Sequence, residues 1–169
     1  MNNFKYTWQQ VVLHWISAVV ILWALISGFY VALVPVSFEV KNIVSFVNVS
    51  VTALFIPVFC VRWYYRHTTA QSVDAMGNNN GRLAHCVHES IYWVTAIVLV
   101  TGVLMMDRPM DIFGWVQLSQ VLTDALWLAW FKWVHIAACA VLAGLVSLHI
   151  CAVIMHELSG RRLLKRMFF

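Results

Sequence analysis

The sequence predicts an all-α integral membrane protein, a single domain over residues 1–169 built as a bundle of four transmembrane helices. Of its 169 residues, 62% are hydrophobic and only 11% are charged, which is too apolar for a soluble domain of this length. Four long apolar runs account for that composition, and each can cross a hydrocarbon core that needs about 20 residues. They lie at residues 11–34, 43–61, 86–106 and 126–156.

The distribution of basic residues predicts the orientation of the bundle. An even number of spans puts both termini on one side, and eight of the eleven Lys and Arg residues fall on that side: Lys5, Arg62, Arg66, Arg82, Arg161, Arg162, Lys165 and Arg166. The opposite side carries Lys41, Arg108 and Lys132. Short loops rich in Lys and Arg stay in the cytoplasm, so we expect both termini there. The net charge of +4 is then a topology signal, and the basic tail is expected to meet anionic lipid rather than nucleic acid.

The first half of the chain contains two spans and a polar connection. The first run is too long for a cleaved signal peptide, follows little positive charge and already holds His14. A short outer loop at residues 35–41 leads to the second run. The polar segment 62–82 contains Gly-Asn-Asn-Asn-Gly at 77–81, which favours a turn and leaves no room for a further domain.

The second half contains the other two spans. His85 and His88 open the third run. The connection at residues 107–125 mixes apolar and acidic side chains, and we expect it to lie on the outer surface, with a short helix as its form. The fourth run carries His135 and His149, fourteen positions apart.

The histidines of the fourth run point to a cofactor. A helix separates His135 from His149 by about 21 Å along its axis and leaves them within roughly 40° of one face. Ionisable side chains are costly inside a bilayer and usually mark function. His14 and His149 lie near the inner ends of antiparallel spans, where two imidazoles from facing helices can hold a six-coordinate, electron-transferring haem. The alternative is a pair of hydrogen-bonded core histidines.

His135 suggests a second haem near the outer leaflet, but its partner is missing. The second run would supply that partner from about residues 44–51, a window that holds Asn48 and no histidine. An amide is a poor ligand for haem iron. Three alternatives remain for an outer haem: that it is absent, that it is five-coordinate, or that another group ligates it. A histidine that holds no iron is a further alternative for His135.

Other polar residues near the inner end suggest supporting roles. His85 and His88 share a helix face and are candidates for binding a haem propionate or a quinone carbonyl, or for carrying protons. Arg62, Arg66 and Arg82 lie at a similar depth and are candidates for pairing with propionates. A plain interfacial cluster, or half of a dedicated metal site with Glu89, are the alternatives.

Two compositional features bear on the cofactor. Small residues between His135 and His149 are typical either of clearance for a porphyrin or of close helix packing: Ala137, Ala138, Ala140, Ala143 and Gly144. The four cysteines form no Cys-x-x-Cys pair and no Cys-x-x-Cys-His attachment sequence, so any haem is held without thioether bonds and the cysteines are expected to be apolar fillers.

With these residues in place, the chain resembles the bacterial cytochrome b-561 family. These are four-helix, di-haem proteins of the inner membrane, related to the cytochrome b subunits of formate dehydrogenases and hydrogenases. The likeness covers essentially the whole chain and is carried by His14-Trp15, by Arg82-Leu83-Ala84-His85-Cys86-Val87-His88, by Trp133-Val134-His135 through Leu148-His149 with His156, and by the ending Leu163-Leu164-Lys165-Arg166-Met167.

The resemblance implies haem b as cofactor and electron exchange with the quinone pool. By the family pattern His14 and His149 hold the inner haem, and His135 is one ligand of the outer haem. Asn48 stands where the family has the other ligand, a histidine of the second helix. The implied electron source is superoxide or a periplasmic donor. One alternative is a membrane-anchor subunit that relays electrons for a partner dehydrogenase, hydrogenase or c-type cytochrome. A metal-handling or transport protein using His85, His88 and Glu89 is an alternative of another class.

Overall fold

Four long helices dominate the computed structural model, which describes residues 7–68 and 79–160. They are α1 (Trp8–Leu33), α2 (Phe38–Thr68), α3 (Asn79–Leu104) and α4 (Ala125–Leu158). Each is long and apolar enough to span a membrane, which confirms the predicted fold class. The cytoplasmic location of both termini stays a prediction. Lys5 and the basic tail that supports this orientation lie outside the described residues.

Three of the helices begin with side-chain caps. The Thr7 hydroxyl accepts from the Gln10 backbone N–H at 3.4 Å, and the Gln10 side chain accepts from the Thr7 N–H at 3.1 Å. At the start of α2 the Ser37 hydroxyl accepts from the Val40 N–H at 3.3 Å. At the start of α4 the Asp124 carboxylate accepts from the N–H groups of Leu126 and Trp127. These caps satisfy N–H groups that have no partner within the helix, and so fix where the three helices begin.

The helices pack as two pairs. The close contacts of α1 are made mainly with α2 and those of α3 mainly with α4, while α2 and α3 meet over a shorter stretch. Among the described residues, α1 and α4 do not form an extensive close-packed interface. A cavity of about 290 Å³ lies between these two helices instead, lined by Leu22, Leu25, Ile26, Phe29, Ala143, Val146, Ser147 and Ile150.

The connection between α3 and α4 is a β-hairpin, so the expected short helix was wrong. Strands β1 (Met110–Ile112) and β2 (Val116–Leu118) pair antiparallel. The turn between them places Phe113 at φ +50° and Gly114 at φ +73°, and the Trp115 N–H donates to the Ile112 carbonyl at 3.0 Å. Two successive residues at positive φ suit a tight hairpin turn and cannot continue a right-handed helix.

The hairpin is fastened to the second helix by one buried serine. The Ser50 hydroxyl donates to the Asp111 carbonyl at 3.2 Å and accepts from the Phe113 N–H at 3.1 Å. Ser50 is 0% exposed, and the rings of Phe46 and Phe113 meet edge to face nearby. The hairpin therefore ties the second helix pair to the first at the end of the bundle opposite the termini.

Candidate cofactor site

Four side chains, one from each helix, gather at one end of the bundle. We call this the inner end; it holds the starts of α1 and α3 and the ends of α2 and α4. Arg62 lies 3.0 Å from His14, measured from Nη2 to Nδ1. The His88 and His149 rings contact each other with centroids 4.9 Å apart, and His14 interacts electrostatically with His149. We call His14, Arg62, His88 and His149 the inner cluster.

The Arg62 contact determines how His14 is protonated when its ring is neutral. A guanidinium group can only donate, so Nδ1 of His14 must accept, and the single ring proton then lies on Nε2. An imidazole that ligates iron through Nε2 carries its proton on Nδ1 instead. His14 can become such a ligand only if Arg62 leaves Nδ1, which frees the guanidinium for another acceptor.

A second arginine near the cluster is already neutralised. Arg66 donates from Nε and Nη2 to one carboxylate oxygen of Glu89, at 2.9 and 2.6 Å. Both Arg62 and Arg66 also lie over the ring of Tyr92, at 5.0 and 4.8 Å from its centroid. Within residues 7–68 and 83–160, no carboxylate forms an ion pair with Arg62. Arg62 is therefore the cation of this region that is available to bind an anion such as a propionate.

Two further candidates of the inner end, His85 and Arg82, lie near the start of α3. His85 is exposed at the start of α3 and interacts electrostatically with Glu89 one turn later. Arg82 begins the same stretch, but its side chain lies outside the described residues. Among the residues that are described, no three His, Cys, Asp or Glu side chains come together as a metal site. The metal-handling alternative therefore stays a prediction.

The inner end fits a haem in its donor chemistry and in the spacing of its helices. Imidazoles on α1 and α4 offer the nitrogen donors that six-coordinate haem iron takes, and Arg62 offers a partner for a carboxylate. The loose packing between α1 and α4 and the cavity between them leave room that a close-packed helix pair would lack. Val146 and Ile150, which lie within one helical turn of His149 on α4, both line this cavity, whereas His149 itself does not.

His135 lies apart from the inner cluster and is held by the third helix. Its Nδ1 lies 3.2 Å from the Val98 carbonyl and 3.1 Å from the Thr101 hydroxyl oxygen. That hydroxyl already donates to the Ile97 carbonyl at 2.6 Å, so both neighbours of Nδ1 are acceptors. Nδ1 of His135 therefore carries the ring proton, and Nε2 keeps its lone pair. The Cys139 sulfur lies 3.5 Å from this Nε2.

Asn48 and His135 lie equally many residues from the outer ends of their helices, but they contact different neighbouring helices. Asn48 is the tenth residue after Phe38 and His135 is the tenth after Ala125, so both lie about 15 Å inside the outer ends of their helices. The Ser27 hydroxyl lies 2.8 Å from Asn48 Oδ1 and 2.6 Å from the Trp23 carbonyl, and shares its proton between them. This contact ties the Asn48 amide to α1.

Several contacts at these sites escaped the sequence argument. The roles of Tyr92 and Thr101 depend on how α2 and α4 rotate against α3, which apolar periodicity does not reveal. Val98 contributes a backbone carbonyl, which every residue type carries. The one feature of the sequence that could have pointed to these contacts is a polar residue within an apolar run. Ser27, Tyr92 and Thr101 are such residues.

Comparison with known proteins identifies the family of the chain. No curated protein matches the chain. A family model described as prokaryotic cytochrome b561 matches residues 5–169, which is nearly the whole chain. That family consists of membrane b-type cytochromes of electron transfer, and the four apolar helices fit it. The chain therefore belongs to the prokaryotic cytochrome b561 family.

Proposed function

We propose that this cytochrome exchanges electrons between the quinone pool of the bacterial cytoplasmic membrane and a haem b bound at the inner cluster. His14 and His149 would hold the iron of that haem. The observation that supports this most strongly is the convergence of three imidazoles and one carboxylate-free arginine at one end of the bundle. Such side chains are rare within membrane spans and are usually functional.

Haem b supplies a one-electron couple, and the chain sets its ligation and burial. With a haem bound, Arg62 would pair with a propionate carboxylate instead of Nδ1 of His14, and Nδ1 would then be free to carry the ring proton. The ion pair between Arg66 and Glu89 would keep the charge of Arg66 balanced when Arg62 binds the propionate.

Quinol oxidation releases protons as well as electrons, and the inner end offers groups to accept them. His88 packs on His149, so it lies beside a proposed ligand. His85 lies one turn before His88 on α3 and is exposed. We assign these two histidines two roles: hydrogen bonding to a quinone carbonyl, and transfer of the protons that the quinol releases.

A spectrum of the purified full chain tests the ligand assignment. Protein from haem-sufficient cells is expected to show the reduced spectrum of a bis-imidazole b-type haem, and a quinol analogue is expected to reduce it. His14→Ala and His149→Ala should each lose that low-spin spectrum, with a lower haem content in a pyridine haemochrome assay. His67→Ala, which changes an exposed histidine at the end of α2, is the matched control and should keep it.

Two results would contradict the proposal in different ways. A colourless preparation would reject haem binding altogether. A haem that a quinol cannot reduce, in a chain that co-purifies with a dehydrogenase or hydrogenase, would replace the quinone assignment with a subunit role.

A further inference from the structure

We infer that His135 is the only protein ligand of an outer haem, and that this haem is therefore open to a small diatomic ligand such as CO. The inference deepens the proposed function and depends on it, because it assumes that the chain binds haem. It assigns the two ends of the bundle different chemistry: a closed, six-coordinate haem at the inner end and an open one at the outer end.

His135 already has the arrangement of an iron ligand. Its Nδ1–H is held by the Val98 carbonyl and the Thr101 hydroxyl oxygen, at 3.2 and 3.1 Å. Histidines that bind metals commonly donate the second ring N–H to a carbonyl in this way, which fixes the ring and leaves Nε2 free to ligate. His14 lacks this arrangement, because its Nδ1 accepts from Arg62. His135 can therefore ligate iron through Nε2 without a change of tautomer, whereas His14 cannot.

The thiol next to His135 cannot complete the coordination. Cys139 lies one turn along the same helix, with its sulfur 3.5 Å from Nε2. Both side chains therefore approach a porphyrin from the same side. The second axial ligand has to come from the opposite side, so Cys139 has only to turn aside when iron binds.

The helix that could supply an opposite ligand offers an amide instead. Asn48 matches His135 in depth, ten residues inside the outer end of its own helix. Its amide nitrogen has no lone pair to give to iron, and its carbonyl oxygen faces the Ser27 hydroxyl at 2.8 Å. The side-chain nitrogen of Asn48 faces Gly28, which has no side chain. A β-carbon at Gly28 would lie 3.9 Å from that nitrogen.

An iron with one imidazole and no opposite ligand is five-coordinate. Ferrous haem of this kind binds neutral diatomic molecules at its free position, as the distal pocket allows, whereas a bis-imidazole haem has no free position. The haem at the outer site should therefore bind small diatomic molecules such as CO, NO and O₂.

Carbon monoxide is the probe for the test, and spectroscopy rather than turnover is the readout. The full chain, purified with its haem, is assayed for haem content by pyridine haemochrome and then reduced and titrated with CO. The expected result is two haems per chain, of which one binds CO and gives a high-spin ferric EPR signal before reduction. In His135→Ala the CO-binding haem should be lost while the low-spin haem remains.

Two substitutions at position 48 provide the sharpest comparison. Asn48→His supplies the missing imidazole and should abolish CO binding and the high-spin signal without loss of haem. Asn48→Gln keeps the amide and should bind CO as the parent does. His156→Ala, at the far end of α4, is the control and should change neither signal.

The possible failures separate this inference from the proposed function. Two haems that both ignore CO would overturn the inference alone, as would an outer iron with a methionine sulfur opposite His135. A single haem that survives His135→Ala would also overturn it and leave the inner haem standing. A chain without haem would overturn both. The CO stoichiometry of the unmodified chain decides the matter even if a variant fails to fold.

Discussion

Arg66 on α2 and Glu89 on α3 form a two-pronged ion pair in which the guanidinium donates to one carboxylate oxygen at 2.9 and 2.6 Å. The side chains are 25% and 28% exposed, so water screens the pair only in part. Among the residues that the structure describes, no other ion pair is formed. This one joins the two helix pairs at the inner end. The hairpin makes the corresponding link at the outer end through Ser50.

Breaking this ion pair should weaken the bundle. Glu89→Gln leaves Arg66 charged and without a carboxylate, and we expect it to cost about 1–2 kcal/mol of unfolding free energy. The measurement is denaturant unfolding in mild detergent for Glu89→Gln, Arg66→Gln and the double variant. A coupling energy near zero in this cycle would show that the two groups contribute independently.

Removing the positive charge of Arg62 should lower the midpoint potential of the inner haem. A nearby cation favours the reduced iron, so we expect Arg62→Ala to shift the potential negatively by on the order of 50 mV, measured by spectroelectrochemical titration. Arg62→Lys keeps the charge and should shift it less. Arg108→Ala, in the outer connection, is the control. An unchanged potential in Arg62→Ala would place Arg62 away from the haem.

Ser50→Ala should loosen the hairpin without affecting the inner site. The substitution leaves the Phe113 N–H and the Asp111 carbonyl without this hydroxyl, which we expect to cost about 1–3 kcal/mol. Limited proteolysis of the 107–124 connection measures the effect, and cleavage should become faster. Ser90→Ala, on the exposed side of α3, should leave the rate unchanged. Equal rates in both variants would mean that Ser50 does not hold the hairpin.

Two glycine substitutions in helices should change the stability of the protein in opposite directions. A β-carbon at Gly102 would lie 3.3 Å from Cε1 and 3.6 Å from Nδ1 of His135, whose ring is held on two sides and cannot easily move. Gly102→Ala should therefore lower the unfolding temperature. Gly144→Ala meets no atom within 4 Å and should raise stability by about 0.5–1 kcal/mol. Thermal unfolding of both variants checks this, and stabilisation by Gly102→Ala would show that His135 is free to shift.

The helices could be predicted because length and apolarity alone determine whether a segment spans a bilayer. The ends were harder to predict: α2 continues to Thr68 and α3 starts at Asn79, beyond the predicted runs. Helices continue through the interface, where polar residues are no longer costly, so hydropathy marks only the hydrocarbon part. The hairpin was missed because its turn uses a phenylalanine at positive φ, a conformation that phenylalanine rarely adopts.

The histidines could be proposed from their spacing, but their partners could not. The structure brings His149 against His88 and His14 against Arg62, and both contacts depend on how neighbouring helices are rotated. The residue opposite His135 was sought on α2 by counting residues along the helices, and that assignment stays a prediction. The tautomer of His135 needed coordinates, since it depends on the backbone carbonyl of Val98.

The division of the bundle into two helix pairs has a consequence for how the protein is made. Each pair forms from spans that follow each other in the chain, so α1 and α2 can associate before α3 leaves the ribosome. The seam between the first and last spans closes only when synthesis is complete. A bulky planar molecule can therefore enter sideways from the lipid after insertion, with no need for the apoprotein to unfold.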